Sequence, residues 1–296
     1  DTALEPDPLE NCFSDISGTG ADYAALSPVV GSHCQGTNHQ DIQGIERVVF
    51  LGDSVTVGTP PSTEAEFYRN RLAQTLSADF GLEEPDWWWE AVNIVDGTTY
   101  VQDSGDFSSC ASWGARADDL MQDNAQVLDC FPESERHKKT LVIMTMGGND
   151  LKSLTEGFMA GEDTEDLWNQ TFDFMSLIRQ AVEWFSPERF PAGVFVVLTN
   201  LYEFTDGTGD VTSCPTAGLA GLGEAITDPA LEEMVLWSME EFMSIAVDTE
   251  TDVLFLLETF CGHGFNRNDP NGHCYRGPDT PLYFDLTCIH PNPAGH

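Results

Sequence analysis

The residues of this sequence that could do chemistry lie in four short blocks, and the first block follows an apolar run. Residues 48–51 are all apolar, as in a buried strand, and Gly52-Asp53-Ser54 comes directly after them. Ser54 therefore lies where a strand ends, which is where open α/β sheets bind their ligands. We take Ser54 as a candidate nucleophile, although Gly-Asp-Ser alone is also common in ordinary turns.

The other three blocks offer the groups that a nucleophilic serine needs, namely a base and donors for an oxyanion. Gly114 can present a backbone N–H with no side chain in the way. Residues 147–150 follow another apolar run, and the amide of Asn149 is a suitable second donor. His290 lies in a late loop that can carry an imidazole over the edge of a sheet. Each block taken singly also fits a turn glycine, a turn asparagine or an exposed histidine.

Taken together and in this order, the four blocks resemble those of the SGNH (GDSL) hydrolase superfamily. The resemblance implies that Ser54 is the nucleophile and that His290 takes and returns its proton. It also implies that the N–H groups of Ser54 and Gly114 and the side chain of Asn149 form the oxyanion hole. The sequence lacks a Gly-x-Ser-x-Gly motif around Ser54, which disfavours the α/β-hydrolase fold.

The third member of a triad departs from the pattern of that superfamily, in which an aspartate usually stands three residues before the histidine. Thr287 occupies this position, and the nearest acidic residue is Asp285. Two alternatives remain open: a bulged loop brings the Asp285 carboxylate to His290, or the backbone carbonyl of Thr287 orients the imidazole. We favour the carbonyl, because the residue at this position faces the ring in the fold of the superfamily.

The remaining carboxylates of these blocks, Asp53 and Asp150, are interpreted as structural groups that accept hydrogen bonds from nearby amides. Residues 266–272 are rich in Asn and Asp, but Pro270 and the spacing disagree with an EF-hand loop. We therefore predict no metal site, and an acyl transfer of this kind needs no cofactor.

The charge of the chain limits its partners. The 296 residues include 50 acidic and 12 basic ones, for a net charge of −38. Such a chain repels nucleic acids and anionic membrane surfaces, so we expect neither, and we expect neutral or zwitterionic esters as substrates. The acidic excess fits either simple solubility or an organism that lives in salt. No apolar run approaches the roughly 18 residues that span a bilayer, and we expect a monomer.

The cysteines indicate an oxidising compartment. Eight of them are distributed along the chain, and none forms a Cys-x-x-Cys pair, which disfavours a zinc ribbon or a thioredoxin-like site. We therefore predict a protein that is secreted, or exported and attached to the cell surface. Pairing each cysteine with its neighbour in sequence predicts four disulfides: Cys12–Cys34, Cys110–Cys130, Cys214–Cys261 and Cys274–Cys288.

The elements that must position these residues alternate along the chain. Continuous apolar runs predict five strands, separated by amphipathic helices and loops, at 46–51, 90–95, 141–146, 194–198 and 253–257. This pattern predicts a five-stranded parallel sheet covered on both faces, a three-layer α/β/α sandwich of the flavodoxin-like kind. Two long loops, 203–227 and 259–284, follow strands and should wall the site. Residues 1–45 lack a period, so we predict an irregular extension packed on a hydrolase domain of residues 46–296.

The sequence thus predicts a secreted serine esterase or lipase that acts on small-molecule or lipid acyl esters through an acyl-enzyme. Two alternatives stay open. One is a carbohydrate O-acetylesterase on the same fold, and the other, of a different class, is a non-catalytic surface or binding domain. A tight polar pocket would favour acetyl groups, whereas an open apolar groove would favour long acyl chains.

Overall fold

A six-stranded sheet forms the centre of the computed structural model, which describes Cys12 and residues 20–122, 125–220 and 228–296. The strands in chain order are β1 Arg47–Gly52, β2 Val92–Asn93, β3 Thr98–Thr99, β4 Asp103–Ser104, β5 Phe107–Ser109, β6 Thr140–Thr145, β7 Val194–Thr199 and β8 Asp252–Leu254. Their order in the main sheet is β4-β5-β1-β6-β7-β8, and β2 and β3 form a separate hairpin. Five strands of the main sheet run parallel, and the short edge strand β4 is antiparallel.

Helices cover both faces of this sheet. In chain order they are α1 Ser54–Val57, α2 Tyr68–Phe80, α3 Trp87–Glu90, α4 Gln126–Cys130, α5 Gly148–Ala160, α6 Thr164–Trp184, α7 Pro229–Thr249 and α8 Leu256–Phe260. Alternate side chains of β1 enter opposite cores: Val49 packs with residues of α6 and α7, and Phe50 packs with residues of α2 and α3. The predicted three-layer α/β/α fold is therefore confirmed, with one strand more than expected.

The prediction of 90–95 as a strand of the main sheet is wrong. Only Val92–Asn93 of this range is a strand, in the separate β2–β3 hairpin, and the strand that pairs with β1 on the side away from β6 is β5, which was not predicted. The side chain of Asp86 accepts a hydrogen bond from the N–H of Trp89 and so caps a helical turn. Trp89 is fully buried between Phe50 and Phe107, whereas Val95, which belongs to the same apolar run, is 88% exposed.

The described part of the N-terminal extension covers one edge of the sheet. Gly36 forms an antiparallel bridge with Leu254 of the edge strand β8, and the ring of Tyr23 stacks on Phe255. An edge strand that is covered in this way offers few free backbone groups to other chains. Residues 1–11 and 13–19 of the predicted extension lie outside the described residues, so the division at residue 45 stays a prediction.

The structure has four disulfides, and two of them, Cys12–Cys34 and Cys110–Cys130, agree with the prediction. The other two predicted pairs, Cys214–Cys261 and Cys274–Cys288, are wrong, because the structure contains Cys214–Cys288 and Cys261–Cys274. The reason is tertiary packing. The loop that carries Cys214 packs against Phe284 and the segment before His290, 74 residues further along the chain, so its spatial neighbour is Cys288.

None of the helices within the described ranges combines the length and the apolar character that crossing a bilayer requires.

Candidate active site

The strand end before Ser54 is held in an unusual backbone conformation. Gly52 has a φ of 144°, and a Cβ at this position would collide with the backbone carbonyl of Thr145 on the neighbouring strand β6. The side-chain amide of Gln126 pins the same residue, since it donates to the carbonyl of Gly52 and accepts from its N–H at 3.0 and 2.9 Å. Glycine is therefore required at position 52, and Ser54 emerges from a rigid turn.

Two carboxylates brace this turn and the neighbouring block. Asp53 precedes α1, and its side chain accepts a hydrogen bond of 2.9 Å from the N–H of Val55. Asp150 accepts from the N–H of Ala117 at 3.1 Å and forms an ion pair of 3.6 Å with Arg116. Burial raises the pKa of Asp53 to about 7 and that of Asp150 to about 6. These contacts agree with the interpretation of both carboxylates as structural groups.

The structure brings Ser54 and His290 together across 236 positions of the chain. The Oγ atom of Ser54 lies 2.8 Å from Nε2 of His290, within hydrogen-bond distance. Burial lowers the pKa of His290, and the negative charge of Asp285 opposes this effect. A lowered pKa keeps the imidazole neutral at neutral pH, so Nε2 is able to accept the proton of Ser54.

Hydrogen bonds hold the chain segments before and after His290 together. The N–H of Asp285 donates to the carbonyl of His290 at 2.9 Å. The side-chain amide of Asn292 donates to the carbonyls of Leu282 and Phe284 at 2.7 and 3.1 Å. Asn292, two residues after His290, thus links the chain after the histidine to the chain before it.

The contact of the second imidazole nitrogen corrects both alternatives drawn from the sequence. Nδ1 of His290 lies 2.9 Å from the side-chain Oγ1 of Thr287, and that hydroxyl lies 2.5 Å from Oδ1 of Asp285. Among the described residues, the hydrogen-bond partner of Nδ1 is thus the hydroxyl of Thr287, rather than its carbonyl or the Asp285 carboxylate. The physical reason is a local turn, since Asp285 also accepts the N–H of Thr287 at 2.7 Å and is held one step behind the ring.

Two of the three predicted oxyanion donors, Asn149 and Gly114, are linked through Ala115. Asn149 belongs to the first turn of α5, and its side-chain amide donates to the carbonyl of Ala115 at 2.9 Å. This bond fixes the amide, which has a second N–H to offer. Gly114 precedes Ala115 and has a φ of 77°, while an added Cβ would meet no atom within 4 Å. Glycine is favoured here by its backbone conformation and not by lack of space.

A cavity of about 400 Å³ opens beside Ser54 and His290. Both long loops contribute to its wall, as predicted, although residues 221–227 lie outside the described part of the chain. Apolar side chains contribute most of the surface that lines it and include Leu151, Val211, Leu231, Val235, Leu257 and Phe284, while Lys152, Glu203 and Glu232 are charged lining residues. Such a cavity suits an apolar group that is attached to the reacting carbonyl.

One cluster among the described residues has the side-chain types of a metal site. Cys261, His273 and Cys274 lie with their potential ligand atoms within 4.8 Å of one another. The two cysteines, however, are joined in a disulfide, and their sulfurs are therefore not thiolates that would bind a metal.

Sequence reasoning missed two groups that support the site. Gln126 lies in a short helix without any motif, and we see no signal in the sequence that would have identified it. The hydroxyl of Thr287 did have a signal, because an aspartate two residues before a threonine is typical of a turn closed by side-chain hydrogen bonds. The structure places both within one or two contacts of Ser54 or His290.

Comparison with known proteins gives one family and several similar structures. The sequence model described as GDSL-like lipase/acylhydrolase matches residues 48–215, a range that includes Ser54, Gly114 and Asn149. The lipase Lip_vut3 from a goat rumen metagenome is 14% identical with a TM-score of 0.52, and the match covers 84% of this chain and 91% of that one. Axe2, an acetylxylan esterase from Geobacillus stearothermophilus, is 16% identical with a TM-score of 0.44, over 86% and 91%. None of the curated proteins matches this chain.

Proposed function

This chain belongs to the GDSL-like lipase/acylhydrolase family, and from that membership we propose that it is a secreted serine esterase or lipase. The observation that carries the proposal is the distance of 2.8 Å between Oγ of Ser54 and Nε2 of His290. A serine paired with a neutral imidazole at the end of a strand is the arrangement that makes a hydroxyl nucleophilic.

In the proposed mechanism, Ser54 attacks the ester carbonyl while His290 takes its proton. The oxyanion of the tetrahedral intermediate is held by the N–H groups of Ser54 and Gly114 and by the side chain of Asn149. His290 then returns the proton to the leaving alcohol, which departs and leaves an acyl-enzyme. A water molecule, activated by the same imidazole, hydrolyses the acyl-enzyme and restores Ser54.

The size and character of the cavity favour acyl chains that are longer than acetyl. A volume of about 400 Å³ with mainly apolar walls is far more than an acetyl group needs. Each methylene buried in such a site contributes about 0.8 kcal/mol, so the rate should rise with chain length until the cavity is full. The net charge of −38 favours esters whose alcohol part is neutral or zwitterionic.

The four disulfides support export to an oxidising compartment. We further propose that the protein acts as a monomer, which the mass from light scattering would test. A dimer at micromolar concentration would refute that part of the proposal and leave the mechanism untouched.

The proposed activity is tested with a fluorophosphonate probe and a series of p-nitrophenyl esters from acetate to palmitate. We expect the probe to label the wild-type protein at Ser54 and not the Ser54→Ala variant, and we expect kcat/KM to peak above acetate. A maximum at acetate would favour the O-acetylesterase instead. Absence of both labelling and hydrolysis in the folded protein would favour a non-catalytic binding domain.

A further inference from the structure

A single hydroxyl group lies between the carboxylate of Asp285 and the imidazole of His290. The Oγ1 atom of Thr287 is 2.5 Å from Oδ1 of Asp285 and 2.9 Å from Nδ1 of His290. The backbone N–H of His290 also points at this oxygen, at 3.3 Å. Three residues of one loop, Asp285, Thr287 and His290, thus place a carboxylate, a hydroxyl and a ring nitrogen in one hydrogen-bonded chain.

The directions of these hydrogen bonds follow from the proposed role of His290. If Nε2 accepts from the hydroxyl of Ser54, the neutral ring carries its proton on Nδ1, which must donate to Oγ1 of Thr287. The hydroxyl proton of Thr287 then has one remaining acceptor, which is Oδ1 of Asp285. A hydroxyl has one proton and two lone pairs, and this arrangement uses all three, since the N–H of His290 takes the second lone pair.

The environment of Asp285 argues that its charge serves the imidazole. Asp285 as a residue is 6% exposed, and Oδ2 has no hydrogen-bond partner among the described residues. A buried carboxylate with an unpaired oxygen is costly in the resting protein. The imidazolium that forms on His290 during the reaction would be a positive charge near this carboxylate, and it would offset that cost in the transition state.

We propose that Thr287 is a positioning residue, whose hydroxyl transmits the orienting effect of the Asp285 carboxylate to His290. No proton has to leave Thr287, because the two hydrogen bonds only strengthen as the ring becomes positive. The inference rests on the proposed function, since it takes His290 as the base. In this arrangement the Asp285 carboxylate does not contact His290 directly, and the exposed side chain of Thr287 lies between them.

Variants that remove one group at a time test this proposal. Thr287→Val removes the hydroxyl at nearly constant shape, and Thr287→Ser keeps it. We expect Thr287→Val and Asp285→Asn each to lower kcat roughly 10-fold with KM little changed, as for loss of a charge-assisted hydrogen bond. We expect Thr287→Ser to stay within about threefold of the wild type, and Thr287→Val/Asp285→Asn to be no worse than either single variant, because both remove the same pathway.

A structural role would give a different pattern. Thr287→Val with an unchanged kcat would overturn the proposal, and so would losses that add in the double variant. Equal damage from Thr287→Ser and Thr287→Val would also overturn it, because the hydroxyl would then not be the relevant group. Thermal unfolding of each variant, followed by circular dichroism, verifies that the folded protein is being compared.

A spectroscopic measurement separates failure of this inference from failure of the proposed function. A hydrogen-bonded Nδ1 proton of His290 should give a low-field proton resonance, which Thr287→Val should shift or abolish and Thr287→Ser should retain. This readout needs no substrate, so it tests the contact even if no ester is hydrolysed. A resonance that is insensitive to Thr287→Val would refute the contact, whereas labelling of Ser54 tests the function independently.

Discussion

The hydroxyl of Tyr202 donates a hydrogen bond of 2.8 Å to the backbone carbonyl of Ile289, the residue before His290. Tyr202 follows β7, and its ring stacks on Phe260 with 4.6 Å between the ring centroids. The loop that carries the imidazole is thus braced from a neighbouring strand of the sheet. A base held in this way keeps its orientation while the proton moves between serine and leaving group.

We expect Tyr202→Phe to lower kcat by about three- to tenfold, because it removes one neutral hydrogen bond and leaves the aromatic stack in place. KM should change little, since the cavity keeps its shape. Steady-state kinetics with one p-nitrophenyl ester measure the effect. Tyr100→Phe serves as a matched control on the surface, where Tyr100 is 47% exposed. Equal kcat values for all three proteins would show that this brace is dispensable.

Replacement of Asn149 by alanine should remove the side-chain donor of the proposed oxyanion hole. We expect kcat to fall about 10²- to 10³-fold, the usual result of deleting one such donor, with KM within a few-fold of the wild type. Asn271→Ala, in an exposed loop, provides the control. If Asn149→Ala instead raises KM and spares kcat, the amide binds the ground state and is not part of the oxyanion hole.

The disulfide between Cys214 and Cys288 joins the loop that contributes Val211 to the cavity to the residue directly after Thr287. Cys214→Ser/Cys288→Ser should therefore lose most of its kcat as well as stability, of which disulfides typically contribute 2–4 kcal/mol. The control is Cys12→Ser/Cys34→Ser, in the N-terminal extension, which should lose stability and keep its kcat. Thermal melts and rates at low temperature give both quantities. Equal kcat losses in the two double variants would contradict a local role for the bridge beside His290.

Val235 lies on α7 and lines the cavity beside the serine. A larger side chain here should take up space needed by the far end of an acyl chain. We expect Val235→Trp to shift the optimum of kcat/KM to shorter esters while hydrolysis of the acetate ester is retained. Glu233→Trp, on the exposed face of the same helix, should leave the profile unchanged. A parallel decrease for all esters in Val235→Trp would place the acyl chain elsewhere.

Asp53 makes the stability of the protein depend on pH. Burial raises its pKa from 3.8 to about 7, so the folded state holds a proton that the unfolded state has lost. Its contribution to stability is greatest below about pH 4 and declines as the pH rises to about 7, by roughly 1.4 kcal/mol for each pH unit in that window. We expect Asp53→Asn, which can keep the cap of α1, to flatten this decline and to raise Tm above the wild type at pH 8.

Melting temperatures measured from pH 4.5 to 8.5 test this expectation. Asp163→Asn is the matched control, because Asp163 caps α6 in the same manner but is exposed to solvent. A wild-type Tm that follows the same pH course as that of Asp53→Asn would mean that the buried carboxylate does not govern the decline.

The sequence was most informative where a chemical group follows a long apolar strand. Ser54 and Asn149 come after β1 and β6, two six-residue strands that are buried throughout, so the edge of the sheet to which they belong was predictable. The sequence did not predict β5, because Phe107–Ser109 contains only one apolar residue. Its middle residue, Ser108, is polar, and its hydroxyl accepts a hydrogen bond from the side chain of Arg47. Pattern alone does not identify such a short, polar strand.

Two features of the site depend on contacts that no local pattern encodes. The pairing of Cys214 with Cys288 follows from how two long loops pack on Phe284. The contact between Thr287 and His290 follows from a turn in which Asp285 accepts a neighbouring N–H. The disulfide depends on tertiary structure, and the contact of Thr287 depends on the rotamer of its side chain. The sequence therefore suggested which residues take part but not which of them are in contact.

The sequence separation of 236 between Ser54 and His290 has a consequence for the protein during its synthesis. Synthesis proceeds from the N-terminus, so a growing chain exposes Ser54 long before it contains an imidazole to activate it. On the proposed mechanism, the nascent chain therefore has no activated serine, and ester hydrolysis begins only after the loop that carries His290 has folded against the turn that carries Ser54.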